Sequence, residues 1–183
     1  TETKSEEYDV IVFARRDITN LPIPSFIKKI APKSGLEALM CYDCYFEGTL
    51  DKDDYKFFLG AKVPITTLCP CSKEISDYGA HNQRAIVKVK ISYPENEHIW
   101  LEDLIKTIEK AGSSEVYSLL KREDEKAVTE KAYENPKFVE DVLRDIVLNL
   151  EEDKIINFFE VEIEANESIH NHNAWAYQKK VKN

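Results

Sequence analysis

The sequence predicts an α+β fold, an antiparallel β-sheet with two long helices gathered on one face in the order ββααββ. Three observations carry this. From Tyr55 onward the apolar period runs from two to 3.6 and back, so the elements read strand, strand, helix, helix, strand, strand. The 183 residues suffice for one ordinary domain with a real core. Their composition, 43% hydrophobic and 32% charged, is that of a soluble globular chain.

Taken in order, Thr1 to Glu7 is polar and reads as a frayed end, and Tyr8 to Phe13 is a short apolar run with strand character. Leu21-Pro22-Ile23-Pro24 and Ala31-Pro32-Lys33-Ser34-Gly35 are expected to form an extended loop rather than a helix. Leu36 to Leu50 and Tyr55 to Thr66 are rich in aromatic and β-branched residues and read as strands. Gly48 and Asp51 to Asp54 supply the turn between them. Ser72 to Tyr78 fits one helical turn closed by Gly79.

In Ala85 to Tyr93 the residues Val87, Val89, Ile91 and Tyr93 alternate with Lys88, Lys90 and Ser92, the pattern of a half-buried strand. Leu101, Leu104, Ile105 and Ile108 switch the period to helical. Asn135 before Pro136 reads as the start of a second helix, with proline at the first helical position. Phe138, Val139, Val142, Ile146 and Leu150 form its apolar face. Ile155 to Ile163 and Ala174 to Val181 are the last two strands, and there is no internal repeat.

The formal net charge of -9 argues against a nucleic-acid partner, which calls for a basic surface. No apolar run reaches the length of a membrane span, and Thr1 to Val10 does not resemble a signal peptide. Four cysteines without a disulfide-like framework point to a reducing, cytoplasmic setting. Cys41 and Cys44 form a C-x-x-C. On a strand, positions three apart face opposite ways, so this pair is not expected to converge.

Two stretches carry chemistry. The first is Cys69-Pro70-Cys71-Ser72-Lys73-Glu74, followed by His81-Asn82-Gln83-Arg84. Cysteines one residue apart make a strained redox pair. On an extended backbone they would face one pocket, and thiolate with imidazole suits a borderline-soft ion such as zinc. Two small buried hydrophobes beside a turn would account for the same residues. The second stretch is Asn166-Glu167-Ser168-Ile169-His170-Asn171-His172-Asn173-Ala174. Three of the chain's four histidines lie in these two stretches, although His170 and His172 also fit a solvated turn.

Pro64-Ile65-Thr66-Thr67-Leu68-Cys69-Pro70-Cys71-Ser72-Lys73-Glu74 and Gly79-Ala80-His81-Asn82-Gln83-Arg84 resemble the signature of the type IB GTP cyclohydrolases. So do Leu120-Lys121-Arg122-Glu123-Asp124-Glu125-Lys126, the run Glu130 to Asp141 containing Asn135-Pro136-Lys137-Phe138-Val139-Glu140, and Glu167-Ser168-Ile169-His170-Asn171-His172. Five separated motifs stand in one order, and the resemblance covers roughly residues 28 to 178.

The resemblance implies a tunnelling fold, whose sheets join side by side into a barrel in a homo-oligomer, a tetramer in this family, with active sites between subunits. It implies GTP as substrate, opening of the guanine imidazole ring at C8, release of formate and formation of 7,8-dihydroneopterin triphosphate for pterin, folate or 7-deazapurine synthesis. It implies a divalent ion, zinc, manganese or iron, held by Cys69, His81, Glu125 and His170. Cys71 then serves proton transfer or stabilises an intermediate and His172 acts as a general acid, with Glu167 orienting an imidazole or touching substrate. Glu140 is implied as the guanine anchor, since one carboxylate accepts from N1–H and the 2-amino group together. An acidic chain repels a triphosphate at long range, so its phosphates need a local basic cluster. Arg84, Lys121 and Arg122 are the candidates, with Lys73 and Lys131 as further cations.

The family normally has a longer chain with another tunnelling-fold half, carrying a Gly-Thr-His-Met-Ser-Arg-like stretch absent here. Residues 1–50 are accordingly expected to be the remnant of that half and a connecting segment, and 51–183 the catalytic domain. A separate polypeptide supplying the missing half is the alternative to a fragment. Ala165-Asn166 stands where bacterial members have Asn-Phe. Besides the enzyme, two other readings are compatible with these residues: a metal-bearing purine or pterin-binding module without turnover, and a protein with a purely structural zinc site.

Overall fold

The structure, a computed structural model, describes residues 19–51 and 54–182, with backbone alone for 19–24, 49–51 and 54. The expected frayed end and the strand at Tyr8 to Phe13 lie outside the described residues, as does part of the Asp51 to Asp54 turn. The elements are β1 (Thr19–Ile30), β2 (Glu37–Asp51), β3 (Asp54–Leu68), α1 (Pro70–Ile75), β4 (Asn82–Ser92), α2 (Leu101–Ala111), β5 (Ser114–Glu115), α3 (Arg122–Glu134), α4 (Val139–Glu152), β6 (Phe158–Ala165) and β7 (Ala174–Val181). One antiparallel sheet runs β1-β2-β3-β4-β6-β7, and the short β5 pairs with β3. This is the α+β class that the alternation predicts. Residues 19–51 contribute β1 and β2 to the same sheet as the rest of the chain.

The three central strands align their apolar positions. Ala61 pairs with Val89 and Val63 with Val87, and across the next ladder Val89 meets Val161 and Val87 meets Ile163. All six are buried. Because side chains alternate across a strand, this register turns one whole face of the sheet apolar. Leu104, Ile105 and Ile108 of α2 and Val142, Ile146 and Leu150 of α4 cover it. Each fully buried aliphatic side chain contributes about 1.5–3 kcal/mol, so this layer dominates stability. The opposite face is polar and cross-paired, with Lys88 on Glu162 at 2.6 Å and Lys90 on Glu47 at 2.7 Å. There Tyr45 lies over Gly60, its register partner, in space that a Cβ at Gly60 would occupy.

The structure corrects three expectations. Leu21-Pro22-Ile23-Pro24 is strand, not loop, with Pro22 opposite Tyr45 and Pro24 opposite Asp43. An edge strand bonds a neighbour on one side only, so prolines at alternate positions can turn their missing N–H outward. The loop is confined to residues 31–36, where Ala31 donates to the Leu36 carbonyl and Gly35 adopts φ +67°. The second correction is α3, which the charged run Lys121 to Lys126 hides; only Asp124 and Ala132 of this helix are buried, so it shows no clear apolar stripe. The third is the start of α4. Asn135 ends α3, and α4 begins at Val139 instead of Pro136. The residue before a proline disfavours helical backbone, which stops α3 there. Asp141 accepts from the Phe138 amide at 3.1 Å and opens the next helix.

Asp124 ties α3 to the first hairpin. Its carboxylate accepts from the amides of Lys33 (2.8 Å), Ser34 (2.9 Å) and Lys121 (2.9 Å) and from the Ser34 hydroxyl (2.6 Å). Burial alone would push this carboxyl up, but the Ser34 hydroxyl and the three amides outweigh it and hold it well below the usual carboxylate range. With the folded value depressed, its stabilising effect is present above the unfolded value of about 3.9 and is lost as pH falls towards the folded one. Asp124→Asn should therefore unfold at lower urea than the wild type at pH 7, with the gap narrowing below about pH 4. Equal midpoints at pH 7 would show that this corner does not depend on the charge.

Candidate active site

The site forms where the β3–β4 hairpin opens. Cys69 caps α1, and its sulfur accepts from the Ser72 amide at 3.4 Å, with Pro70 at the first helical turn. The chain comes back at His81, whose carbonyl accepts from the Cys69 amide at 3.1 Å. Ser72 braces both ends, donating its hydroxyl to the Cys69 carbonyl (3.1 Å) and accepting from the His81 amide (3.2 Å). Cys71 therefore lies in a helix that spans Pro70 to Ile75, not on an extended strand or in a turn from Ser72 to Tyr78 closed by Gly79. His170 and His172 lie in the irregular connection between β6 and β7, likewise not extended. Yet both members of each pair reach the same cavity.

That cavity, about 320 Å³, is lined by Cys69, Cys71, His81, Glu140, Glu167, His170 and His172, together with Thr67, Gln83, Lys137 and the start of α4. Seven predicted site residues from four segments thus converge. The His81 and His170 rings lie 6.4 Å apart and those of His170 and His172 5.2 Å apart. Glu140, in the first turn of α4, is exposed at the cavity and takes no hydrogen bond or ion pair among the described residues.

Polar contacts organise the floor. Gln83 places Oε1 3.0 Å from His81 Nδ1, and its Nε2 donates to Thr67 Oγ1 at 3.1 Å and to Glu167 Oε1 at 3.2 Å. Ser168 Oγ also lies 3.2 Å from His81 Nδ1, and Glu167 Oε2 stands 3.8 Å from His170 Nδ1. Lys137, also on the lining, is committed to Asp145 (2.6 Å) and the Ala111 carbonyl (2.9 Å). Sequence reasoning missed Gln83, Thr67 and Lys137. For Gln83 the signal was present: it stands two residues beyond His81, on the side of β4 shared by Ala85 and Val87.

The remaining predicted residues lie elsewhere in this chain. Lys121, Arg122 and Glu125 line a shallow cavity of about 710 Å³ at the start of α3, where Arg122 pairs with Glu125 at 2.7 Å. Arg84 is exposed and belongs by alternation to the opposite sheet face from Gln83. Lys73 lies over the Tyr133 ring, 4.3 Å from its centre. Among the described residues no three His, Cys, Asp or Glu side chains are gathered closely enough to hold a metal ion as placed. The donor types on the cavity, one half-buried thiol and imidazoles, nonetheless suit such an ion chemically. Cys41 is exposed and Cys44 buried, so the C-x-x-C does not converge, as the alternation predicts.

An antiparallel α+β layer with thiols, imidazoles and carboxylates converging at one end of its sheet defines the class. The chain belongs to the type I GTP cyclohydrolase FolE2 family, whose profile matches residues 7–176. It is 57% identical over 156 residues to GTP cyclohydrolase FolE2 of Geotalea uraniireducens, covering 85% of this chain and 56% of that protein. It is 54% identical over 153 residues to the FolE2 of Thermosipho africanus (84% and 58%). To that of Thermotoga maritima it is 51% identical over 170 residues (93% and 64%). The chain thus spans between 56% and 64% of the length of these relatives. No helix among the described residues is long and apolar enough to cross a membrane.

The thiols differ in access. Cys41 and Cys71 are exposed, Cys69 is half-buried, and burial pushes the Cys44 thiol up. Brief iodoacetamide treatment followed by peptide mass spectrometry should label Cys41 and Cys71 first and Cys44 only after unfolding. Early labelling of Cys44 would contradict its place in the core.

Proposed function

We propose that this chain carries the catalytic pocket of a type IB GTP cyclohydrolase, which opens the guanine imidazole ring of GTP at C8, releases formate and yields 7,8-dihydroneopterin triphosphate. The observation that carries the reading is the convergence of Cys69, Cys71, His81, Glu140, Glu167, His170 and His172 on one cavity in a member of the FolE2 family. We further propose a tunnelling-fold homo-oligomer, a tetramer, in a cytoplasmic setting that suits the four thiols. Residues 1–50 are read as the remnant of a first half.

Cys69, His81, His170 and Glu125 are the residues we assign to a divalent ion, zinc, manganese or iron. When bound, such an ion supplies a nucleophilic water near neutral pH by lowering its pKa towards about 7. The chain's own groups do the rest. Glu140, exposed on the cavity with its oxygens uncommitted, accepts from guanine N1–H and the 2-amino group and fixes the base in register. Fixed this way, the imidazole edge of the purine faces the Cys71 and His172 end of the pocket. His172, on the cavity wall beside His170, protonates the opening ring, and Cys71 handles a proton at the reacting carbon. Glu167 holds Gln83 and stands beside His170.

Glu125, Lys121 and Arg122 lie outside the cavity of their own chain. That separation favours a site shared between subunits, with these groups delivered by a neighbouring copy and the basic pair, with Arg84, meeting the triphosphate. The same separation favours a second reading, a metal-bearing purine or pterin-binding module without turnover.

Incubation with GTP and zinc, manganese or ferrous ion should release formate and give a fluorescent oxidised pterin. GTP-dependent thermal stabilisation without formate would select the binding module instead. Cys69→Ala or His81→Ala should lose bound metal and activity together, and full metal content in either would break the ligand assignment. Glu140→Gln should keep its metal and bind GTP about tenfold or more weakly, since it swaps one acceptor of a charge-assisted pair for a donor. Cys71→Ser and His172→Ala should retain metal and GTP but release formate about 10²–10⁴-fold more slowly. Wild-type rates in both would refute these proton-transfer roles.

A further inference from the structure

The hydrogen bonds under the cavity constrain one another more tightly than a set of surface contacts would. Glu167 Oε1, as a carboxylate oxygen, can only accept. The Gln83 atom 3.2 Å from it must therefore be the amide nitrogen. That choice fixes the other end of the same planar group, so the atom 3.0 Å from His81 Nδ1 is the amide oxygen, which also only accepts. His81 Nδ1 must then carry a proton. In the opposite arrangement two lone pairs would face each other at one of these two contacts. The Thr67 hydroxyl, which can donate or accept, tolerates either orientation. Ser168 Oγ, 3.2 Å from the same nitrogen, could donate to an unprotonated Nδ1, but the Gln83 oxygen forbids that state and makes Ser168 a second acceptor.

We infer that Gln83 is a positioning residue that locks His81 in the Nδ1–H tautomer and so leaves Nε2 as the nitrogen with a free lone pair. The lock starts at Glu167, passes through the Gln83 amide and ends at the imidazole. The other oxygen of Glu167 stands 3.8 Å from His170 Nδ1, beyond hydrogen-bond distance, so the same carboxylate that fixes Gln83 also lies beside the second imidazole. Gln83 itself is half-buried on β4, whose ladder to β3 holds it opposite Thr67. A ligand to a metal has to be oriented before the ion arrives, and loss of such an orienting partner typically weakens metal binding about 10–100-fold. That last consequence rests on the metal reading proposed above; the tautomer does not.

Two measurements test this separately. In metal-free protein labelled with ¹⁵N-histidine, above the imidazole titration range, long-range ¹H–¹⁵N correlation spectra should show His81 with its proton on Nδ1, assigned by comparison with His81→Ala. Gln83→Leu, which keeps bulk and removes both polar ends, should turn this into a tautomer mixture. An unchanged circular dichroism spectrum and thermal midpoint for Gln83→Leu serve as the control for folding. Zinc binding followed by a competing chelator should then be about 10–100-fold weaker in Gln83→Leu. A wild-type His81 protonated on Nε2, or an unchanged tautomer in Gln83→Leu, overturns the inference. Unchanged zinc affinity beside a lost tautomer overturns the claim that the lock serves the ion. Correct tautomers with no zinc bound by any variant support the lock and count against the metal reading alone.

Discussion

The site depends on one constraint, the antiparallel pairing of β3 with β4 carried to the very ends of both strands. Their register runs from Leu59 opposite Ile91 to Leu68 opposite Asn82, and one further bond joins Cys69 to His81. Facing residues in such a ladder lie about 5 Å apart, so a thiol and an imidazole twelve positions apart in sequence are held as neighbours by backbone alone. The excursion between them is short enough to be filled by α1, whose Ser72 hydroxyl braces both strands. No ligand is needed to bring these two groups together.

The same ladder explains why polar chemistry can sit beside a dry core. Along β4 the positions facing the helices read Gln83, Ala85, Val87, Val89 and Ile91, and only the first is polar. It falls where the helix layer ends and the first turn of α4 begins. Buried or half-buried polar groups there need partners, and they find them in each other: Thr67 with Gln83, the Leu68 amide with Ser113 Oγ at 3.1 Å, and the Asn135 side chain with the Gly112 carbonyl at 3.1 Å. A satisfied polar rim of this kind gives imidazoles a fixed orientation, which an apolar rim could not.

A second polar assembly fixes the α3 end of the molecule. Lys29 reaches Glu109 at 2.7 Å, and Tyr42 donates to the same carboxylate at 2.6 Å, all three being largely buried. Burial first, then the hydrogen bond to Glu109, pushes the Tyr42 hydroxyl far above its ordinary range, so it stays a donor at any physiological pH. Nearby, burial would raise Glu115, but Tyr117 and Lys131 outweigh it and keep its carboxyl below the ordinary value. These bonds join β1 and β2 to α2, β5 and α3, and with Asp124 they give Lys121, Arg122 and Glu125 a rigid base on a surface separate from the thiol pocket.

Much of this was open to reading in the residues themselves. Alternation in Ala85 to Tyr93 and the 3.6 period in Val142, Ile146 and Leu150 report directly which side of an element meets apolar neighbours, so strands, the two covering helices and their class followed from sequence. So did the motif residues and the divergence of Cys41 from Cys44, which is a matter of strand geometry. What periodicity cannot report is an element whose burial is slight or whose constraint comes from its neighbour. That is why α3, with two buried residues, and the proline-bearing edge strand β1 came only from the structure. Convergence also belongs to tertiary structure. The pairing of β4 with β6 skips 65 residues between Ser92 and Phe158 and sets the Glu167 to His172 segment beside His81. Gln83 acquires its role only through that non-local contact, because a side-chain amide has no orientation until the groups at both of its ends are in place.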